Sequence, residues 1–471
     1  MSKPVIPEAL MTKPLQTVST MRIETSVLEP LVISQTFCRF VLDKKGILDM
    51  GSAITVSVHP TDAVGNNKSF LPIRAGAHCV VKRAVLRIAD KVVATTDDYA
   101  HYMAIKRQAR SVEEKSMKDM VKVGTLDAVC PDTQEAGKIQ LRDLALDGDE
   151  KTGHPIAPIL LTTSLTECPI FSIKLSELFP MMVGVQLPLF VINDSAVIEL
   201  YFNTQATGAA QLGNLCNFEL GEGGDTSAII GLTNVKLLAD YLFYEDGRMG
   251  AIADAVMSKD GLVIPYDDLV LTTTTFPSLA GAGEQKLTRD IGVSGMLVKN
   301  ILVSEGFVTD DRLGMFGPYG SKAFYRPDAY NVRVNDVQKY PRDIVSESRK
   351  YVELSLALGA ELTVSGAEYS LDRATEKVTP YNITNEVCAD DITCQLHPMT
   401  QLTGAQHYIG IDMRSNPYAP VGNGTRVGIK PIQMLHTLLR TAQDLEARTV
   451  RYFTTVERVL QLRGGSVVVS A

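Results

Sequence analysis

Apolar residues along this chain recur mostly at every second position, the spacing of an extended strand with one covered face. In Asn234–Asp246, Val235, Leu237, Ala239, Tyr241 and Phe243 share one side, while Lys236, Asp240 and Tyr244 share the other. A second run, Gly261–Leu271, follows shortly after. The same alternation sets Ile54, Val56 and Val58 against Thr55, Ser57 and His59, and Phe171, Ile173 and Leu175 against Ser172, Lys174 and Ser176 within Phe171–Phe179. After the turn-forming Asn193-Asp194-Ser195, it places Ile198, Leu200 and Phe202 inward and Glu199 outward. Two runs in the second half predict further strands: Val352, Leu354, Leu356 and Leu358 opposite Tyr351, Glu353, Ser355 and Ala357, and Ile409, Ile411 and Met413 opposite Tyr408, Gly410 and Asp412.

Helical spacing is the exception. Asp97–Lys122 predicts a helix with Asp97 or Asp98 as N-cap, and Pro431–Arg448 predicts another, with Pro431 in its first turn and Ile432, Leu435, Leu439, Ala442 and Leu445 along one stripe. Polar or Gly-rich stretches at Val123–Pro158, Asn203–Thr233 and Gly359–Thr400 exceed hairpin lengths and read as elaborated surface loops. The pattern predicts an all-β chain of two β-sandwich domains with long loop insertions and a few short helices. Residues 1–28 form an N-terminal arm, 29–275 the first domain, 276–288 the linker and 289–471 the second domain. No internal sequence repeat is visible, so any symmetry between the halves rests on pattern alone.

Length agrees with this division, because 471 residues at ~150 per domain allow two or three cores. A formal net charge of −8, without a clustered Lys/Arg tail or stripe, argues against phosphate neutralisation and hence against direct nucleic-acid binding. Seven cysteines thinly spread over the chain do not form a secreted disulfide framework, so a reducing compartment is the better reading. The first residues, with three prolines and no continuous apolar run, lack a signal-peptide core, and Leu178–Ile192 is too short and too broken by Pro180 and Pro188 to span a bilayer as a helix. A soluble protein is expected.

Reactive chemistry finds no home in the pattern. Gly221–Gly224 and Gly422-Asn423-Gly424 lack the Lys-Ser/Thr of a phosphate loop and read as turns. Cys388, Cys394 and His397 offer three potential zinc ligands at a spacing that matches no common knuckle and without an evident fourth, so a loop with free thiols is the better reading. The carboxylate pairs Asp310-Asp311 and Asp390-Asp391 read as solvated turns, and no Gly-x-Ser-x-Gly elbow marks a nucleophile. Asn67, Asn193, Asn382 and Asn423 head Asn-x-Ser/Thr triplets that read as chance matches in loops. No catalytic, cofactor-binding or metal-binding residue is assigned, and no cofactor is expected.

The strand Asn234–Asp246 also resembles, in its residues, a strand of major capsid proteins of the double jelly-roll lineage of large eukaryotic DNA viruses, virophages and polinton-like viruses. Leu187–Ile192 with Ala196–Phe202, Ser294–Val303, Asn331–Val337, Tyr408–Arg414, Glu457–Arg463 and Ser466–Ser470 follow in the order of that family's strands. Tyr244–Arg248 is only partly similar to the matching segment of the large-virus members, and the chain has no Trp where their second domain opens on a Trp-bearing strand, which favours a virophage-like or polinton-like relative. The resemblance implies two tandem jelly rolls and a non-enzymatic major capsid protein, a homotrimer forming pseudo-hexameric capsomers of an icosahedral virion shell, assembled inside the host cell. Its implied partners are other copies of itself, neighbouring capsomers, and penton and minor capsid proteins, with an internal membrane or host surface glycans as further candidates. The readings from other classes are a minor capsid or penton protein, and a β-sandwich carbohydrate-binding or hydrolytic protein.

Overall fold

The computed structural model describes residues 21–34, 36–60, 69–70, 76–108, 160–161, 170–203, 230–244, 247–281, 283–307, 329–358, 409–415, 422–440 and 447–470. The principal strands of the first half are β1 (Met21–Leu28), β2 (Phe37–Val41), β3 (Ala53–Pro60), β4 (Val81–Ile88), β5 (Lys91–Asp97), β6 (Ile170–Lys174), β7 (Ala196–Phe202) and β8 (Ile230–Tyr244). They form two facing antiparallel sheets with the orders β1-β8-β3-β6 and β2-β7-β4-β5. The second half runs through β9 (Leu262–Phe276), β10 (Gly283–Ile291), β11 (Leu297–Phe307), β12 (Ala329–Val334), β13 (Val337–Gln338), β14 (Ile409–Asp412), β15 (Ile432–Arg440) and β16 (Arg448–Arg463), with a closing strand β17 (Ser466–Ser470). Its sheets have the orders β9-β16-β11-β14 and β10-β15-β12-β13.

Adding eight to each strand number of the first half reproduces the second. Each half is therefore a complete jelly roll, two four-stranded sheets closed on one another. The duplication extends to the helices, since α1 (Tyr99–Gln108) follows β5 and a later helix, Glu347–Leu358, follows β13 in the equivalent place. Inward residues fill each sandwich: Phe40, Ile54, Val56, Ile198, Leu200, Leu237 and Tyr241 are buried in the first, and Ile291, Val298, Ile301, Val332, Ile411 and Met434 in the second. The two-faced strands at Ala53–His59, Ala196–Phe202, Asn234–Tyr244 and Ile409–Asp412 lie where their alternation placed them.

Several expectations are corrected. Met21–Leu28 is no arm but strand β1, paired along its length with β8. The expected linker 276–288 runs into β10, and β9 is hydrogen-bonded to β16 from end to end, so sheet pairing divides the chain earlier, around the helix Arg248–Met257 between β8 and β9. In Phe171–Phe179 the strand stops at Lys174, and Leu175–Leu178 turns into a short helix, α2. The helix Arg248–Met257 is α3 and Glu347–Leu358 is α4. Glu199 does oppose the core residues of β7 but is itself covered, with Arg87 Nε donating to it at 3.0 Å.

Two elements exchange type. Pro431–Arg448, expected to be a helix, contains β15, flanked on both sides by β10 and β12, and the start of β16. Its Ile432, Met434, His436 and Leu438 are buried at period two, and two ladders of backbone hydrogen bonds outweigh the alternative stripe at helical spacing. The expected strand in Tyr351–Leu358 belongs to helix α4, which buries Lys350, Glu353, Leu354 and Ala357 and leaves Val352 and Leu356 exposed. Gly410 makes this packing possible: a Cβ there would lie 2.6 Å from Leu354 Cα. The expected helix at Asp97–Lys122 exists as α1, and its remainder lies outside the described residues, as do most of the three long loops.

Candidate functional site: the seam between the jelly rolls

The two sandwiches meet where β5 and α1 of the first pack against β9 and β16 of the second. Hydrogen bonds between side chains and backbone groups cross from each unit to the other. Tyr266 donates its hydroxyl to Val93 O at 2.6 Å, and Asp268 Oδ1 accepts the Thr95 N–H at 3.3 Å. Lys91 donates to Val467 O, and the Tyr102 and Phe453 rings sit 5.6 Å apart between centroids. Leu269, Leu302, Phe453 and Leu460 of the second unit join the apolar core of the first, so the seam is a continuation of core packing.

One ion pair crosses it and a second lines it from within the second unit. Arg451, on β16, donates from Nε to Asp98, whose other carboxylate oxygen lies 2.9 Å from His101 Nδ1. Burial works against the Asp98 carboxylate, but His101 and Arg451 outweigh it and hold the group well below the usual carboxylate range. Asp98 adopts a left-handed backbone, φ 50°, at the point where β5 turns into α1, which aims its side chain at β16. The second pair joins Asp268 to Arg458 at 3.2 Å. Here burial dominates: despite Arg458 and the backbone N–H groups of Leu269 and Thr95, it pushes the carboxyl up to about 6.

The sign of the Asp268 effect sets a prediction. Because its folded value is raised above the unfolded one, the folded chain holds the extra proton between about pH 4 and pH 6, and this contribution to stability is present below that window and lost as pH rises through it. Asp268→Asn should flatten the pH dependence of unfolding in that window by about 2–3 kcal/mol. Urea unfolding at a series of pH values checks this; parallel profiles for the two proteins would refute it.

The seam also fixes how the units are oriented. Tyr266 contacts Val93, Asp268 contacts Thr95, and Arg451, paired in register with Thr273, contacts Asp98. β5 and β9 therefore run side by side in the same sense. In a jelly roll the connections after the first, third, fifth and seventh strands leave from one end, so the connections 61–80, 98–169 and 203–229 of the first unit and 308–328 and 339–408 of the second all leave from the same end of the molecule. The other end carries the hairpin at Asn335-Asp336, with φ 49° and 68°, beside longer connections such as 175–195.

Among the described residues, none of the groups considered for chemistry is assembled into a site. Cys388, Cys394 and His397, the pairs Asp310-Asp311 and Asp390-Asp391, and Asn67 and Asn382 lie outside the described residues. Gly422-Asn423-Gly424 is a structural turn in which the Gly422 N–H donates to Glu457 at 2.9 Å and Asn423 is buried. Asn193 is bound to the hairpin at Gly464-Gly465 through its backbone N–H at 3.1 Å. Among the described residues no cluster of His, Cys, Asp or Glu could hold a metal ion, and no helix is long and apolar enough to cross a membrane. Sequence reasoning missed the seam. Its one visible signal was Tyr452-Phe453, two aromatic residues at adjacent positions, as in a strand covered on both faces.

No family model and no curated protein matches the chain. Solved structures do. The crystal structure of PBCV-1 VP54 fitted into a reconstruction of the virophage Sputnik has 9% identity and a TM-score of 0.61, over 98% of this chain and 99% of that one. The Faustovirus major capsid protein has 9% identity and a TM-score of 0.57, over 96% and 92%. The cryo-electron-microscopy structure of the Sputnik virophage has 10% identity and a TM-score of 0.53, over 100% and 92%. The strand order of both sandwiches and this end-to-end likeness together establish that the chain has the tandem jelly-roll fold of viral major capsid proteins.

Proposed function

We propose that this chain is a major capsid protein whose function is to tile an icosahedral virion shell as a homotrimer. The observation that carries this reading is the seam: two jelly rolls of identical strand order are locked side by side by the Arg451–Asp98 ion pair, hydrogen bonds to β5 and shared core, with the long connections of both leaving from one end. Such a block has side walls of regular strands for lateral neighbours and a distinct loop-bearing end. Three copies supply six jelly rolls, enough for a pseudo-hexagonal tile, and closed symmetric assembly satisfies the lateral surfaces. A catalytic role is no part of this reading. Tiling requires contact with neighbouring capsomers, and a closed shell adds penton and minor capsid proteins at its vertices and inner surface. Contact with a membrane or with glycans is a finer possibility, for which the two ends of the block are the surfaces to examine.

Negative-stain imaging of the purified protein tests this. The expected result is uniform six-lobed particles that grow into hexagonal sheets or closed shells at raised concentration. A field of single two-lobed particles at every concentration would overturn the proposal.

A further inference from the structure

Three charged side chains of the second unit meet beneath the connection 175–195 of the first. Lys299 Nζ lies 2.6 Å from Asp267 Oδ1 and 3.1 Å from Glu457 Oε2. Strand pairing brings them together. Asp267 on β9 stands directly opposite Glu457 on β16, and Lys299 on β11 falls at a break in the β11–β16 ladder, between Val298 and Asn300. A residue at such a bulge leaves the ladder, and its side chain is re-aimed. The middle strand, β16, thus holds one carboxyl between a strand that bears an amine and a strand that bears a second carboxyl. Pro180, Met181, Val185 and Pro265 wall a cleft of about 230 Å³ over the three groups.

An ordinary surface ion pair keeps its ammonium in water. Here the Lys299 side chain is 8% exposed and that of Glu457 11%, so their charged forms lose hydration, and two carboxylates at directly opposite positions repel. We infer that Lys299 and Asp267 join as an amide, a cross-link between β9 and β11 that the chain forms by itself with Glu457 as proton carrier. The Lys299 ammonium gives one proton to the Asp267 carboxylate, and the neutral Nζ adds to Asp267 Cγ, forming the N–C bond. Glu457 takes a second proton from that nitrogen and passes it to the departing hydroxyl, so that one water leaves as the C–O bond breaks. An ammonium and a carboxylate become an amide and water, with no oxidant or other reactant consumed. Strands two apart in a sheet lie ~9–10 Å from one another, a span that a lysine and an aspartate side chain cover together. The Asp267 side chain, 38% exposed, reaches solvent, where the water departs. Glu457 is held in place by the Gly422 N–H at 2.9 Å and remains a carboxylate able to accept the new amide N–H. The link closes a covalent ring through β9, β10 and the start of β11, and it depends in no way on how copies of the chain assemble.

Mass spectrometry of the full chain, after prolonged incubation of the folded protein and then denaturation, tests this. The parent should be lighter than its sequence by one water. Trypsin should leave Lys299 uncut and give a branched peptide that joins 260–286 to 290–312. Glu457→Gln, which removes the proton carrier, and Lys299→Met, which removes the amine, should keep their full mass and give no branched peptide, with circular dichroism confirming that each is folded. The peptide map of the parent stands by itself should either variant fail to fold. A parent of full mass that releases 290–299 as a separate peptide would overturn the inference, reduce the three groups to an ion-pair cluster and leave the capsid reading standing. A branched peptide that persists in Glu457→Gln would overturn the part assigned to Glu457.

Discussion

Arg451→Ala is expected to lower the unfolding free energy by ~3–5 kcal/mol, a large fraction of the stability of an ordinary domain. The guanidinium is almost completely buried in the seam and donates to Asp98, which is itself held between Arg451 and His101. Truncation leaves that largely covered carboxylate with only the imidazole to balance it. Arg458→Ala should cost less, because the Asp268 carboxyl it leaves, already pushed up to about 6 by burial, can take up a proton and keeps the Thr95 N–H. Removing both charges of the first pair, as Asp98→Asn with Arg451→Met, should recover most of the loss, since no uncompensated charge then remains buried. Urea unfolding of the three variants measures this. A loss below about 1 kcal/mol for Arg451→Ala would show that the seam is solvated and the units only loosely joined.

The second large effect is at α4. Leu354→Ala should cost ~2–5 kcal/mol, because Leu354 is 1% exposed and packs where Gly410 lets the helix approach β14. Leu356→Ala, two positions on, should stay within about 0.5 kcal/mol, since Leu356 faces outward. Glu353 behaves unlike a surface carboxylate: it accepts the Tyr340 hydroxyl at 2.5 Å and pairs with the exposed Arg349 at 2.6 Å, so Glu353→Ala removes a buried hydrogen bond and an ion pair. A strand through these residues would give the opposite order, with Leu356 costly and Glu353 neutral. Thermal shifts of the three variants therefore read out the type of the element as well as its packing.

This segment also shows where the sequence is legible and where it is not. Ile54, Val56 and Val58, or Ile198, Leu200 and Leu237, alternate with polar residues, so only a strand can cover them, and the structure has strands there. Val352-Glu-Leu-Ser-Leu-Ala-Leu358 satisfies period two and also places Leu354 and Ala357 three apart, so local pattern is indifferent. The preceding polar turn and the bare Gly410 surface decide for the helix. The reverse holds for β15, where Ile432, Met434, His436 and Leu438 compete with a helical stripe and the outcome depends on two neighbouring strands far away in sequence. Charge is harder still. Asp98, Asp268, Arg451 and Arg458 look like ordinary surface charges because nothing local says that a second sandwich will cover them.

The duplicated strand order escaped the sequence for a similar reason. A jelly roll is specified by which strands pair, and pairing constrains only the alternation and length of each strand. Residue identity can drift until no repeat remains visible, while β1–β8 and β9–β16 keep the same order. The resemblance noted in segments from Leu187 to Ser470 rests on their order, and strand order is what the 9% identity with the Faustovirus major capsid protein leaves intact.

The mass of the purified protein in solution tests the capsid reading most directly. Light scattering coupled to size exclusion should give a single species of three times the 51.3 kDa chain mass, constant across a hundredfold dilution. A monomer that persists at every concentration would contradict it.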